Sequence, residues 1–136
     1  EALLQIGRDV LGQQPFSRLL GSEVAAMSAG KADLQLPLKP EHLQNNGFAH
    51  GGVVSYLADN ALTFAGGTLL PMPVVTSEFK INYVRPAVGE RLIARAEAKA
   101  SSKSQAVCCC EVYAVKDGVE KLCALAQGTI VRLASD

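Results

Sequence analysis

The chain has 136 residues, 49% hydrophobic and 19% charged, which suits one domain with a real core and excludes a disordered chain. Thirteen basic and thirteen acidic residues cancel, so no net charge draws the protein to nucleic acid or a membrane surface. With no tryptophan and few other aromatics, it also lacks a stacking platform for bases.

In chain order, residues 2–12 and 16–20 read as helices. The opening run EALLQIGRDVLGQQ has no basic segment leading into a hydrophobic one, so a signal peptide is not expected. EVAAMSAG and KADLQLPL then read as a hairpin with its turn at Gly30-Lys31. Ala32, Leu34, Leu36 and Leu38 alternate along its second strand. KPEHLQNNGFAHGG is polar and turn-rich, a loop. A long apolar helix follows from Gly51 to about Leu70, ending at Gly66-Gly67 or Pro71. Ser55, Asp59, Asn60 and Thr63 interrupt it, so no apolar run reaches the roughly 18 residues of a membrane span.

Beyond the helix the period changes to two. VVTSEFKINYV places Phe79, Ile81 and Tyr83 on one face. RLIARAEAKASSK sets Ala94, Ala96, Ala98 and Ala100 against Arg95, Glu97 and Lys99. QAVCCCEVYAVK and KLCALAQGTIVRL are two further strands around a turn at Lys116-Asp117-Gly118, which predicts an antiparallel meander. With no repeat, linker or low-complexity segment, the whole chain 1–136 reads as one α+β domain. The alanine row lets a helix approach closely, and the long apolar helix is the candidate. One sheet covers only one side of such a helix, which predicts a partner subunit, most simply a two-fold dimer.

Cys108, Cys109, Cys110 and Cys123 lack the spacing of a zinc or redox motif and read as reduced core residues of a cytoplasmic protein. His42 and His50, without a supporting carboxylate cluster, make a poor metal site, so no metal or cofactor is expected.

The helix start carries the candidate chemistry. Its first backbone N–H groups have no intrahelical partner, and Gly51 and Gly52 let another group approach them. Such a site suits a carbonyl oxygen that becomes negative during reaction, although the glycines alone favour a simple tight entry into the helix. Asp59 is the stronger signal. A carboxylate on a buried helix costs several kcal/mol unless it is hydrogen-bonded, solvated in a cleft or shifted in pKa. It either points into solvent or is paired with a neighbour such as Asn60 or Thr63, or it is a base or nucleophile lining a pocket. Eight helical residues rise about 12 Å and turn about 80° past two full turns. Asp59 and the Gly51 N–H therefore serve one site only if they come from two chains.

HGGVVSYLAD at 50–59 resembles the signature of hotdog-fold acyl-CoA thioesterases of the phenylacetate-pathway branch. VVTSEFKINYVRPAVGERLIARAEA and GVEKLCALAQGTIVRL are similar to that family's later strands, and the resemblance runs from about residue 15 to 133. It implies a hotdog fold, a long helix wrapped by a curved antiparallel sheet, paired into dimers and often into tetramers. It also implies hydrolysis of an aryl- or medium-chain acyl-CoA. The Gly51 N–H would polarise the thioester carbonyl, and Asp59 of the partner chain would be the base or the nucleophile. His50 would orient the substrate or loop, with Gly52 beside it. Gln44 would assist the thioester or the water, with Asn45 and Asn46 as alternatives in register. A strand hydroxyl would accompany the base, Thr76 fitting best and Ser77 next.

For the CoA phosphates, Arg85 and Lys103 are the basic candidates, though each alone reads better as an ordinary surface charge. Val53, Tyr56, Leu57, Leu62 and Phe64 are expected in the acyl pocket wall. A non-catalytic acyl-CoA-binding module is the competing reading. It would keep the pocket but lack the acid at Asp59, which is present. No helix-turn-helix segment or basic extension points to DNA.

Overall fold

The computed structural model describes residues 1–134. Helices α1 (Ala2–Gly12) and α2 (Pro15–Leu20) precede the hairpin β1 (Glu23–Ser28) and β2 (Lys31–Pro37). After a single turn of 3-10 helix at Pro40–His42 comes α3 (Gly51–Gly67), followed by β3 (Val74–Tyr83), β4 (Arg91–Ser101), β5 (Gln105–Lys116) and β6 (Val119–Arg132). The strands form one antiparallel sheet in the order β1-β2-β4-β5-β6-β3. This is the hotdog fold. Helix α3 carries the chain across the sheet from β2 to the far edge, where β3 pairs only with β6.

The meander closes as the sequence predicts. Asp117 (φ 52°) and Gly118 (φ 79°) form a two-residue turn with both central residues left-handed, which matches the twist of β5 and β6. The hairpin β1–β2 turns one residue earlier than expected, at Ala29-Gly30.

The core lies between α3 and the inner sheet face. Leu57, Leu62 and Ala58 of the helix are fully buried against Leu34, Leu36, Leu92, Val112 and Ile130. Ala94 and Ala96 are buried with them, while a bulge between Ala98 and Ala100 breaks the alternation and leaves Ala100 exposed. Cys108 and Cys110 face inward and Cys109 outward. Burial pushes the Cys108 and Cys123 thiols up to about 11 and the Cys110 thiol higher still, so all three act as packing residues.

Covering of the helix differs from expectation. α1 and α2 of the same chain cover its Tyr56–Asn60 flank, so the partner is not needed there. On the face toward β3, the polar residues Ser55, Asp59 and Thr63, spaced four apart, form a half-buried stripe.

At Gly66 helix and sheet approach so closely that an added Cβ would lie 2.9 Å from Ile130 Cβ and 3.2 Å from Cys108 Sγ. Gly66→Val should therefore overpack this seam and lower unfolding free energy by about 2 kcal/mol. Thermal melts at matched protein concentration should show this as a fall in Tm of several degrees; an unchanged Tm would mean that the seam yields.

Candidate active site

The loop before α3 holds itself in place. Gln44 N–H donates to Phe48 O (2.9 Å), and the Gln44 side-chain oxygen accepts from the Asn46 N–H. Gly47 supplies the positive φ (88°) that this tight turn requires. Asn45 and Asn46 are exposed at the turn, and Gln44 is half-buried. His50 N–H donates to His42 O at 2.8 Å, which ties the end of the loop to the 3-10 turn.

His50 is the N-cap of α3. Its backbone is extended (φ −60°, ψ 137°) and its Nδ1 accepts from the Gly52 N–H at 2.8 Å. The Gly52 donor is thus used within the chain. The N–H groups of Val53 and Val54 both go to His50 O. The Gly51 N–H meets no acceptor among the described residues and carries the positive end of a 17-residue helix. Beside it opens a cavity of about 380 Å³ lined by Phe48, Val54, Tyr83, Arg85 and Cys123. Tyr83 donates its hydroxyl to Gly51 O at 3.0 Å, a contact the sequence reading did not anticipate. Its signal was the phase of β3, which puts Tyr83 on the helix side with Phe79 and Ile81.

Asp59 lies two turns further along α3. Its Oδ1 accepts from Thr76 Oγ1 at 2.7 Å. Thr63, one turn on from Asp59, donates to Asp59 O (2.9 Å), and its hydroxyl lies 2.9 Å from that of Thr76. Asp59 is half-buried, and its Oδ2 accepts no hydrogen bond from the described residues. The neighbour that pairs with Asp59 is therefore Thr76, on a different element, and not Asn60.

The geometry of β3 explains this choice. A bulge between Thr76 and Glu78 makes Ser77 the extra residue, so Thr76 and Phe79, three apart, both face the helix. Thr76 pairs with the fully buried Ile130 of β6, whereas Ser77 turns outward and donates to Thr129 O at 3.3 Å.

Other expected site residues divide. Arg85 stands at the Gly51 cavity, with Nη1 on Leu122 O at 3.3 Å. Lys103 sits in the β4–β5 turn, at the end of the molecule where α3 terminates, so within one chain it is not at that cavity. Tyr56 stacks edge-on with Phe16, donates its hydroxyl proton to Ser17 Oγ (2.6 Å) and accepts from Ser22 Oγ (2.5 Å), so its polar end is committed under α2. Leu57 and Leu62 are core rather than pocket wall, because they project from α3 into the sheet, and Val53 is buried with them. Phe64 does line a cavity, on the α1 side. Among the described residues no cluster of His, Cys, Asp or Glu is arranged to hold a metal, and no helix is long and apolar enough to cross a membrane.

Comparison with known proteins adds ancestry to this geometry. Residues 46–121 match the family model described as the thioesterase superfamily. A protein of Archaeoglobus fulgidus named "Putative esterase" is 33% identical over 119 residues, covering 87% of this chain and 75% of that protein. A thioesterase family protein from Silicibacter pomeroyi superposes with a TM-score of 0.91 at 32% identity, over 98% of this chain and 99% of that one. A mutant of the phenylacetic acid degradation protein PaaI from Thermus thermophilus superposes with a TM-score of 0.76 at 36% identity, over 88% of this chain and all of that one.

The His50 cap predicts that His50→Ala costs about 1 kcal/mol of stability while His50→Asn, which restores a capping oxygen, recovers most of it. Denaturant unfolding checks this. Equal loss in both variants would show that the imidazole does something other than cap.

Proposed function

The chain belongs to the thioesterase superfamily, and from that premise we propose that it hydrolyses an acyl-CoA thioester to the free acid and CoA. The observation that carries the proposal is the pairing of two unfinished groups on α3. At Gly51 a helix N-terminal N–H stands open beside a cavity, and at Asp59 a half-buried carboxylate keeps one oxygen free. The first suits a developing oxyanion, and the second suits proton abstraction or attack.

On this reading the site forms between two subunits. Asp59 of one chain faces the Gly51 N–H of the other, since about 12 Å of helix separates the two positions within a chain. The carboxylate takes a proton from water as its oxygen bonds to the thioester carbon. The carbonyl oxygen becomes negative against the Gly51 N–H. The C–S bond then breaks, and the proton passes to the departing thiolate. The alternative route, attack by Asp59 itself, uses the same free oxygen and ends in the same products once water opens the anhydride. Thr76 orients the carboxylate in either route. Arg85 at the cavity rim suits a CoA phosphate. Gln44, Asn45 and Asn46, on the loop before α3, remain the candidates to hold the thioester or the water.

The unpaired edge of β3 supports a dimer. Val75 and Tyr83 on it and Val84 just beyond are exposed apolar side chains on a strand whose outer backbone groups have no partner among the described residues.

Asp59→Asn keeps the side chain's size and removes the base. It should lower kcat at least a hundredfold on aryl- and medium-chain acyl-CoAs, while CoA-ester binding stays within a few-fold. Thr76→Val should lower kcat about tenfold with little change in KM. Thiol release checks both. Binding without turnover in the parent protein would favour a non-catalytic acyl-CoA-binding module instead.

A further inference from the structure

Helix α3 opens with two successive glycines, Gly51 and Gly52, the residue type whose backbone is least restrained by sterics. An oxyanion donor needs the opposite property, since it acts by being aimed before charge develops. The candidate site thus places the group that must stand still on its most pliable backbone. What holds that backbone can be traced bond by bond.

The peptide between His50 and Gly51 is held through its carbonyl, because His50 O accepts from the N–H groups of Val53 (2.9 Å) and Val54 (3.2 Å). The next peptide, between Gly51 and Gly52, is planar, so holding both of its ends fixes its tilt. Its N–H donates to His50 Nδ1 at 2.8 Å, and its carbonyl accepts from the Tyr83 hydroxyl at 3.0 Å. With both flanking peptides held, Gly51 has no free rotation left and its N–H keeps one direction. The two anchors differ in kind. His50 belongs to the same stretch of chain and moves with it. Tyr83 closes β3, paired with Ala124 of β6, and the Val84 N–H that follows it donates to Cys123 O at 2.9 Å. Among the described residues, the Tyr83 hydroxyl makes the one hydrogen bond that ties either glycine to the sheet.

The ring adds contact to that bond. A Cβ built on Gly51 would lie 3.4 Å from Cζ and the hydroxyl oxygen of Tyr83 and 3.5 Å from its Cε1. The ring therefore covers the Gly51 backbone where a side chain would project, and it lines the cavity beside the helix start. A phenol has a single proton to donate, and Gly51 O takes it. Tyr83 has no donor left for a substrate oxygen, so its effect on the reaction runs through Gly51.

We propose that Tyr83 is a positioning residue: its hydroxyl locks the Gly51–Gly52 peptide to the sheet and so fixes the bearing of the Gly51 N–H. The inference rests on the hydrolase reading and deepens it. Tyr83 is 54% exposed, so Tyr83→Phe strands no buried polar group and should leave the fold intact.

Tyr83→Phe keeps the ring and removes the bond. Losing an oxyanion donor outright costs about a hundredfold in kcat, and loosening one should cost less, about tenfold, with KM within about twofold of the parent. Thiol release from aryl- and medium-chain acyl-CoAs measures both. By solution NMR, the backbone order parameter of the Gly51 amide should fall from about 0.85 in the parent to below about 0.6, while that of Leu57 in the same helix holds. An unchanged kcat overturns the inference. So does a fall in kcat with Gly51 as rigid as before, because the hydroxyl then acts elsewhere. A raised KM with kcat intact also overturns it, since Tyr83 then serves binding alone. Disorder shared with Leu57, or a lost fold, makes the contact structural and overturns it as well. A parent Gly51 amide already below about 0.6 does so without any variant. If the parent hydrolyses nothing, it is the hydrolase reading that has failed. The order parameters then decide this inference: loosening confined to Gly51 and Gly52 supports it, and an unchanged Gly51 amide overturns it.

Discussion

Between α3 and the concave sheet there is no room for a side chain at Gly66, and the fully buried Leu57 and Leu62 fill the seam on either side of Ala58 and Ala61. That close approach decides what the remaining helix positions can do. With one face pressed on the sheet and one flank under α1 and α2, the stripe Ser55, Asp59 and Thr63 on the side toward β3 is left partly open. A carboxylate there is neither in bulk water nor in the core. Thr76 reaches it because β3, as the last strand of the sheet, runs beside that stripe. The interaction that makes Asp59 tolerable also holds it still, and a fixed carboxylate with one oxygen free is chemically useful.

Much of this could be read from residues alone because the signals were local. The apolar run closing at Gly66-Gly67, the alternating alanines of β4 and the Asp-Gly turn between β5 and β6 each depend on neighbours in sequence. The loop residues before α3 declare themselves as turn-formers for the same reason. Membership of the thioesterase superfamily rests on a similar kind of signal, since the helix signature lies within the matched residues 46–121.

The less legible features depend on tertiary contacts. Leu57 and Leu62 look like pocket wall on a helical wheel until the sheet's position is known, and Tyr56 gives no sign that α2 will claim its hydroxyl. Thr76 and Ser77 offer the same hydroxyl, and it is the bulge that turns the first toward the helix and the second away. A trace of it existed, because Val74 and Thr76 share one parity of β3 while Phe79 and Ile81 share the other. Only a bulge lets both pairs face the helix. The hydrogen bond between Gln14 and Asn60 joins residues 46 positions apart, which no spacing rule connects.

The central claim is that the candidate site is finished only by a second chain, and mixed subunits test it directly. Gly51→Pro deletes the one N–H in question at the first helical position, where proline fits, and His50 before it already has the extended backbone that proline requires. Each of Gly51→Pro and Asp59→Asn should be inactive alone. Unfolded and refolded together in equal amounts, they should recover about a quarter of the parent's activity, since about half the dimers would be mixed and each would hold one intact site. Two folded, inactive variants that recover nothing on mixing would contradict a site shared between subunits and return both groups to one chain.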